Sequence, residues 1–446
     1  MRIRFKGAHI VDPGQVNERK DLIVKNGLVE TLVDPSLPEE NPETEILDVT
    51  GMTLVPGLID LHVHLREPGA EYKETVETGL RAAVRGGFTA VCPMPNTDPV
   101  NDNAQVTQFL INRAGELGLC RVYPVGAITQ GLEGINLAEH GEMKTAGIAA
   151  ISDDGHPVED ARLMRRAMEY AGSLGLLVIS HSEDKALSRN GAMNEGAVAT
   201  RLGIKGIPNA AESAFVMREL ALAELTETPI HIAHVSCKES VEAIKNAKQR
   251  GVKVTCETAP HYFTLTDRAV KDYDTAAKMN PPLRTETDRQ AIIQGLVDNT
   301  IDIIATDHAP HSSLEKDVEF DRAAFGIVGL ETSLALSLKL VQDNHLSLDT
   351  LVEKMSTVPA SLLGLDSGLK PGNPADITVF DGNACYTIDP ETFFSRGRNT
   401  PFSGFEVKGE VVLTMVQGRI VYQKAKTEDL LENESASQEK NRCQGK

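Results

Sequence analysis

Eight short apolar runs recur through the middle of this 446-residue chain, and most are followed by an amphipathic stretch. The runs fall at 57–64, 89–94, 121–128, 147–152, 176–181, 229–235, 252–258 and 301–306. Apolar runs of this length suit strands covered on both faces, as in a parallel sheet. The stretches 72–85, 104–117, 160–174, 211–225 and 238–250 carry their apolar residues at helical spacing. Eight strand–helix units predict an α/β chain folded as a (β/α)8 TIM barrel, with a doubly wound open sheet as the other arrangement such units can take.

Both ends read differently from the middle. Residues 1–54 show short alternating segments at 2–5, 22–25, 28–32 and 46–48, and residues 367–423 show others at 376–380, 411–416 and 419–422. Neither set is large enough to bury a face alone, so the two ends are expected to pair into one small β-sandwich domain, leaving 55–366 as the catalytic barrel. The polar, charged stretch 424–446 reads as a disordered tail. Asp and Glu number 64 against 45 Lys and Arg, a formal charge of −19. That balance argues against general nucleic-acid or anionic-membrane binding, which needs a basic footprint. No apolar run approaches a membrane span, and the first residues lack the apolar core of a secretory signal. Six scattered cysteines without a CxxC pair point away from thiolate zinc and disulfides, toward a reducing cytoplasm.

The chemistry gathers at the predicted strand ends. His62 and His64 are two apart on the first strand and so share a face, a suitable pair for one metal. Asp153 and Asp154 follow the fourth strand, His181 ends the fifth, His234 ends the sixth and Asp307 ends the eighth. A barrel builds its active site at this end. Four imidazoles and two carboxylates there match the N/O ligand set of a dinuclear hydrolase that activates water. Alternation does not tell which of Asp153 and Asp154 faces inward. Arg66 keeps the parity of the two histidines if the strand continues; otherwise it is a surface arginine beside Glu67. His231 lies three before His234 and is expected to face the other way, in a structural role. His9, His140 and His345 are read as structural, and His156 and His261 mainly so.

At these residues the chain resembles the dihydroorotases of the amidohydrolase superfamily, in their long, class I bacterial form. The motifs are PGLIDLHVHLREPG (56–69), GGFTAVCPMPNTDP (86–99), ISDDGHPV (151–158), HSED (181–184), TPIHIAHVS (228–236) and TCETAPHYFTLTD (255–267). KMNPPLR (278–284), ATDHAPH (305–311), FGIVGLET (325–332), GLKPGNPADITVFD (368–381) and RNTPFSG (398–404) continue the series, so the resemblance covers 1–423. One departure is Ala324, where the family pattern has proline.

The resemblance implies two zinc ions, one on His62, His64 and Asp307, the other on His181 and His234, with Asp154 bridging. It implies Asp307 as proton shuttle, and Arg66, Asn96, Asn280, His311 and Gly326 as substrate contacts. Many relatives bridge their metals with a carboxylated lysine; here an acidic pair stands after strand four, and Lys144 and Lys185 lack the matching context. The implied reaction is the reversible cyclisation of N-carbamoyl-L-aspartate to L-dihydroorotate in pyrimidine biosynthesis. A homodimer is expected, with association with aspartate transcarbamoylase as a further partner. Two other readings remain on the same fold: a cyclic amidase of the allantoinase or dihydropyrimidinase kind, and a non-catalytic scaffold. The complete ligand set opposes the second. The charged 312–329 segment, directly after a catalytic strand, reads as a substrate-contacting loop or lid.

Overall fold

The computed structural model describes residues 1–39 and 41–424. The tail expected over 424–446 therefore lies outside the described residues, Lys424 apart. All eight expected barrel strands form, in chain order around the barrel: Leu58–Val63, Phe88–Pro93, Arg121–Val122 with Val125–Gly126, Ala150–Ile151, Leu177–Ser180, Ile230–Ile232, Val254–Thr258 and Ile303–Ile304. Every neighbouring pair is parallel. The third strand is broken between Val122 and Val125, and its halves join the two sheet segments. A parallel bridge between Val63 and His308 closes the ring, reinforced by the His64 N–H donating to the His308 carbonyl at 2.8 Å. The fold is the barrel and not the open sheet.

The helices obey the sequence closely. Ala104–Leu117 starts where the Asn103 side chain accepts from the N–H groups of Gln105 and Val106, and ends at Gly118 in the left-handed region. It buries Val106, Leu110 and Ala114, one residue per turn on the core face. Ala161–Leu174 repeats the pattern with Asp160 as its cap and Met164, Ala167, Met168 and Ala171 buried. Small and branched side chains, among them Ile59, Leu61, Ala90, Cys92, Ile179, Ala233 and Ile303, make a separate apolar cluster on the strands. With no tryptophan in the chain, this filling rests on aliphatic groups.

The chain ends form two sheets. One has six strands in the order Arg419–Gln423, Glu406–Val416, Ile377–Thr387, Thr53–Pro56, His9–Asp12, Val16–Arg19, so a segment from the amino end pairs directly with one from the carboxyl end. The other has four, in the order Leu28–Val33, Asp21–Lys25, Arg2–Lys6, Thr44–Asp48. Ile3, Phe5, Leu22 and Val24 of one sheet share an apolar cluster with Ile10, Leu54, Ile377 and Leu413 of the other. The hairpin Ile377–Thr387/Glu406–Val416 runs well past the segments expected from alternation, through a register shift between Asp381 and Cys385. No helix among the described residues is long and apolar enough to cross a membrane.

Candidate metal centre and substrate cavity

Four imidazoles and two carboxylates meet at the carboxyl end of the barrel. His62, His64 and Asp154 form one group whose ligand atoms lie within 4.8 Å of one another, and Asp154, His181 and His234 form a second, so Asp154 belongs to both. Asp307 stands beside the first group, its Oδ1 3.3 Å from His64 Nε2 and 3.6 Å from His62 Nε2. His234 and Asp307 follow their strands at φ +37° and +48°. Few non-glycine residues adopt that region, and it turns both side chains away from the direction a continued strand would give.

Outer partners decide which nitrogen of each ring faces the centre. His62 Nδ1–H donates to Glu257 Oε1 at 2.7 Å, and His64 Nδ1–H donates to Asn96 Oδ1 at 2.9 Å. His181 Nε2–H donates to Glu183 Oε2 at 3.1 Å. The other ring nitrogens, His62 Nε2, His64 Nε2 and His181 Nδ1, then face Asp154, at 3.4, 3.5 and 3.3 Å. His62 Nε2 and Asp154 Oδ1 are buried without a hydrogen-bond partner. Buried polar atoms left unpaired are costly, and a cation between them would satisfy both. The donor set therefore fits a pair of metal ions sharing Asp154.

The local field agrees. Burial alone would raise Asp154, but His62, His181 and His234 outweigh it and hold the carboxyl well below the usual range. Burial would likewise lower His62 and His181; the facing carboxylates instead raise His62 well above its ordinary value and His181 to about 9. The pocket concentrates negative charge and draws cations. His64 goes the other way, lowered by burial and by the nearby Arg66 charge.

Asp153 is settled by its contacts. Its Oδ1 accepts from the N–H groups of Ile128 (2.7 Å) and Thr129 (3.0 Å), and its Oδ2 from the Thr129 hydroxyl. It braces the preceding strand, while Asp154 faces the four rings.

A cavity of about 880 Å³ opens over the centre and is lined by Arg66, Asn96, Asn280, His311 and Gly326, together with His64, Asp154, His181, His234 and Asp307. His62 lies beneath. Arg66 arrives there by a route the alternation argument did not foresee: the strand stops at Val63, and Arg66 sits in a loop at φ +62° with Nε donating to the Pro310 carbonyl at 3.2 Å. Glu67 is not its partner; that carboxylate accepts from the Val76 N–H at 2.7 Å and approaches Arg113 at 3.7 Å. Gly326 has φ +132°, and a Cβ there would come within 2.7 Å of Ala309 Cβ and 3.2 Å of His311 Nε2.

Two carboxylates escaped the sequence reading. Glu183, two residues beyond His181, also accepts from Lys185 Nζ (2.6 Å) and Asn280 Nδ2 (3.1 Å), tying a metal ligand to the cavity wall. Glu257, inside an apolar strand, holds His62 with one oxygen and stands 3.2 Å from His231 Nε2 with the other. A buried charge in such a strand was the available signal. His231 is thereby corrected: it does not face away from the centre, but steadies the support of a ligand. His261 belongs to neither ligand group, though it feels the charges of Asp307, His234 and His62; burial pushes it down to about 4, and it packs against Tyr262. His156 is exposed and lines a different hollow.

Glu257→Gln should keep the fold and weaken metal binding, because the amide is a poorer acceptor for His62. Outer partners of this kind are worth about 10–100-fold in metal affinity. Chelator competition would measure it, and an unaltered metal dissociation constant would remove Glu257 from the site.

A parallel barrel carrying HxH on its first strand, histidines on the fifth and sixth and an aspartate on the eighth defines a metal-dependent hydrolase of the amidohydrolase type. Two family models match the chain, "Dihydro-orotase-like" over residues 51–240 and "Amidohydrolase family" over 331–422. The dihydroorotase of Desulforapulum autotrophicum is 73% identical over 95% of this chain and 100% of its own length, and that of Geobacter metallireducens 55% identical over 95% and 100%. The chain belongs to the dihydroorotase family. Among solved structures, the L-hydantoinase (dihydropyrimidinase) of Arthrobacter aurescens superposes with a TM-score of 0.85 at 25% identity, covering 95% of this chain and 96% of its own. The dihydropyrimidinase of Brevibacillus agri NCHU1002 does so at 0.81 and 23%, with 95% of each covered, a likeness of fold.

Proposed function

We infer that this chain is a working dihydroorotase, interconverting L-dihydroorotate and N-carbamoyl-L-aspartate. The observation that carries it is the convergence of the full imidazole and carboxylate set with Arg66, Asn96 and Asn280 around one cavity. Zinc on His62, His64, Asp154, His181, His234 and Asp307, when bound, would supply Lewis acidity and a water activated at neutral pH.

The side chains have separable tasks. The guanidinium of Arg66, anchored through Pro310, clamps the substrate carboxylate that does not react. Asn96 spends its oxygen on His64, so its amide nitrogen is the end offered to that carboxylate. Asn280 is reversed. Its nitrogen donates to Glu183, leaving the oxygen to accept from the ring amide N–H. His311 donates through Nε2 to the Phe325 carbonyl at 2.7 Å, so Nδ1 of the neutral ring is an acceptor, and serving the carboxylate requires the ring to gain a proton. Burial, with Arg66, Lys73 and Lys316 nearby, pushes His311 down to about 3. Asp307, at the cavity floor, takes the proton from the attacking water and returns it to the leaving nitrogen.

Loss of ultraviolet absorbance on opening dihydroorotate tests the assignment, with hydantoin, dihydrouracil and allantoin run beside it. Turnover of any of those three without dihydroorotate would overturn it. Arg66→Lys keeps the charge but loses the planar fork, and should raise KM with metal content intact, since the carboxylate is held in ground and transition states alike. An unaltered KM would show that Arg66 is not the clamp. Elution volume, with and without added aspartate transcarbamoylase, reads out the proposed homodimer and that association.

A further inference from the structure

The segment after the last barrel strand carries a buried lysine with no carboxylate partner. Lys316, on the short helix Ser313–Lys316, is 7% exposed and makes no ion pair among the described residues. Its Nζ donates to the carbonyls of Thr275 (3.0 Å), Lys278 (3.0 Å) and Ala324 (2.7 Å). An ammonium has three N–H donors and no acceptor, so this cage uses all of them. The acceptors come from two places: the segment leading to Asn280, and the far end of the 311–326 loop. Lys278 completes the clasp. Its Nζ donates to the Asp321 carbonyl at 3.0 Å and lies 4.4 Å from the Phe325 ring centre, and its own carbonyl accepts from the Gly326 N–H at 3.0 Å.

Ala324, whose carbonyl accepts from Lys316, belongs to the same clasp through its N–H as well. Its N–H donates to the Glu315 carbonyl at 3.0 Å, a bond proline could not make. The residues next along, Phe325 and Gly326, line the cavity, and the Phe325 carbonyl orients His311.

We propose that Lys316 is a positioning residue of the substrate cavity: its ammonium, caged by three backbone carbonyls, sets the 311–326 loop against the Asn280 segment and so sets substrate affinity, without touching substrate or metal. The inference rests on the proposed substrate-binding role of that cavity. Removing the ammonium leaves three carbonyls without their donor, and the loop can recover solvation only by moving outward.

The test is Lys316→Met, which keeps the stem and removes the charge. Expected is a KM for dihydroorotate raised about tenfold or more, with kcat within about threefold and bound metal unaltered, the signature of lost uniform binding. In the substrate-free proteins, amide hydrogen exchange at Ala324 and Gly326 should be faster in the variant than in the unaltered chain. A folded variant with unaltered KM, or with unaltered exchange at those two amides, overturns the proposal. So does a loss of kcat and metal with KM retained. If Lys316→Met does not fold, Lys278→Met takes its place: a raised KM with faster Gly326 exchange supports the clasp, and neither change overturns it. The exchange comparison needs no turnover, so it stays informative even if the unaltered chain fails to act on dihydroorotate.

Discussion

Asp307→Asn should lower kcat at least about 10²-fold while zinc content stays near that of the unaltered chain, because general acid–base catalysis alone is worth about 10²–10⁴-fold. Asparagine is nearly isosteric, and its oxygen can occupy the position 3.3 Å from His64 Nε2 where Asp307 Oδ1 now lies. It cannot accept and return a proton. Burial would raise this carboxyl, but His62, His64 and His234 outweigh that and hold it well below the ordinary range. A variant whose turnover returns when zinc is added would show that Asp307 serves only as a ligand.

Asp154→Ala should go further and cost both metal positions together. Asp154 is the one residue common to the two ligand groups, and without it His181 and His234 lose the carboxylate that joins them to the first group, where Asp307 remains beside His62 and His64. His181 Nδ1 and His234 Nε2, already 2.8 Å apart, would then share a proton in place of a cation. Metal analysis should find less than one equivalent, and activity should fall below that of Asp307→Asn. Asp153→Asn is the comparator. It removes charge from a carboxylate that braces Ile128 and Thr129, so it should reduce thermal stability and leave metal content alone. Two equivalents of metal in Asp154→Ala would contradict a bridging role.

The barrel was legible because period and count agree: eight apolar runs, five of which lead to a ligand residue. The ligand histidines were legible for the same reason. Alternation loses its grip where the chain leaves the strand, and the active site lies just past that point. The fourth strand is only Ala150–Ile151, so Asp153 and Asp154 sit in a turn whose geometry no period describes. Arg66 reaches the cavity although its strand has ended, which makes the expectation correct in place and mistaken in its reason. Glu257 and Glu183 were missed because their value lies in partners distant along the chain: Glu257 matters through His62, and Glu183 through Asn280. At the amino end, His9–Asp12 and Thr53–Pro56 are four residues each, and the second closes on a proline, a combination that reads as loop until a neighbouring strand covers it.

The pairing of Thr53–Pro56 with Ile377–Thr387 has a consequence for how the chain is made. Pro56 meets Ile377 across that ladder, and the barrel's first strand begins two residues after Pro56. A ribosome releases Thr53–Pro56 long before its partner, so one edge of this strand must wait, unpaired, while the barrel between them emerges. Exposed strand edges invite pairing with other chains, and contacts so distant in sequence form slowly. The opposite edge is held meanwhile by His9–Asp12, which precedes it in the chain and pairs in parallel at Ile10 and Leu54. The amino-terminal segment thus guards a nascent edge on one side, while the other stays open until Ile377–Thr387 arrives.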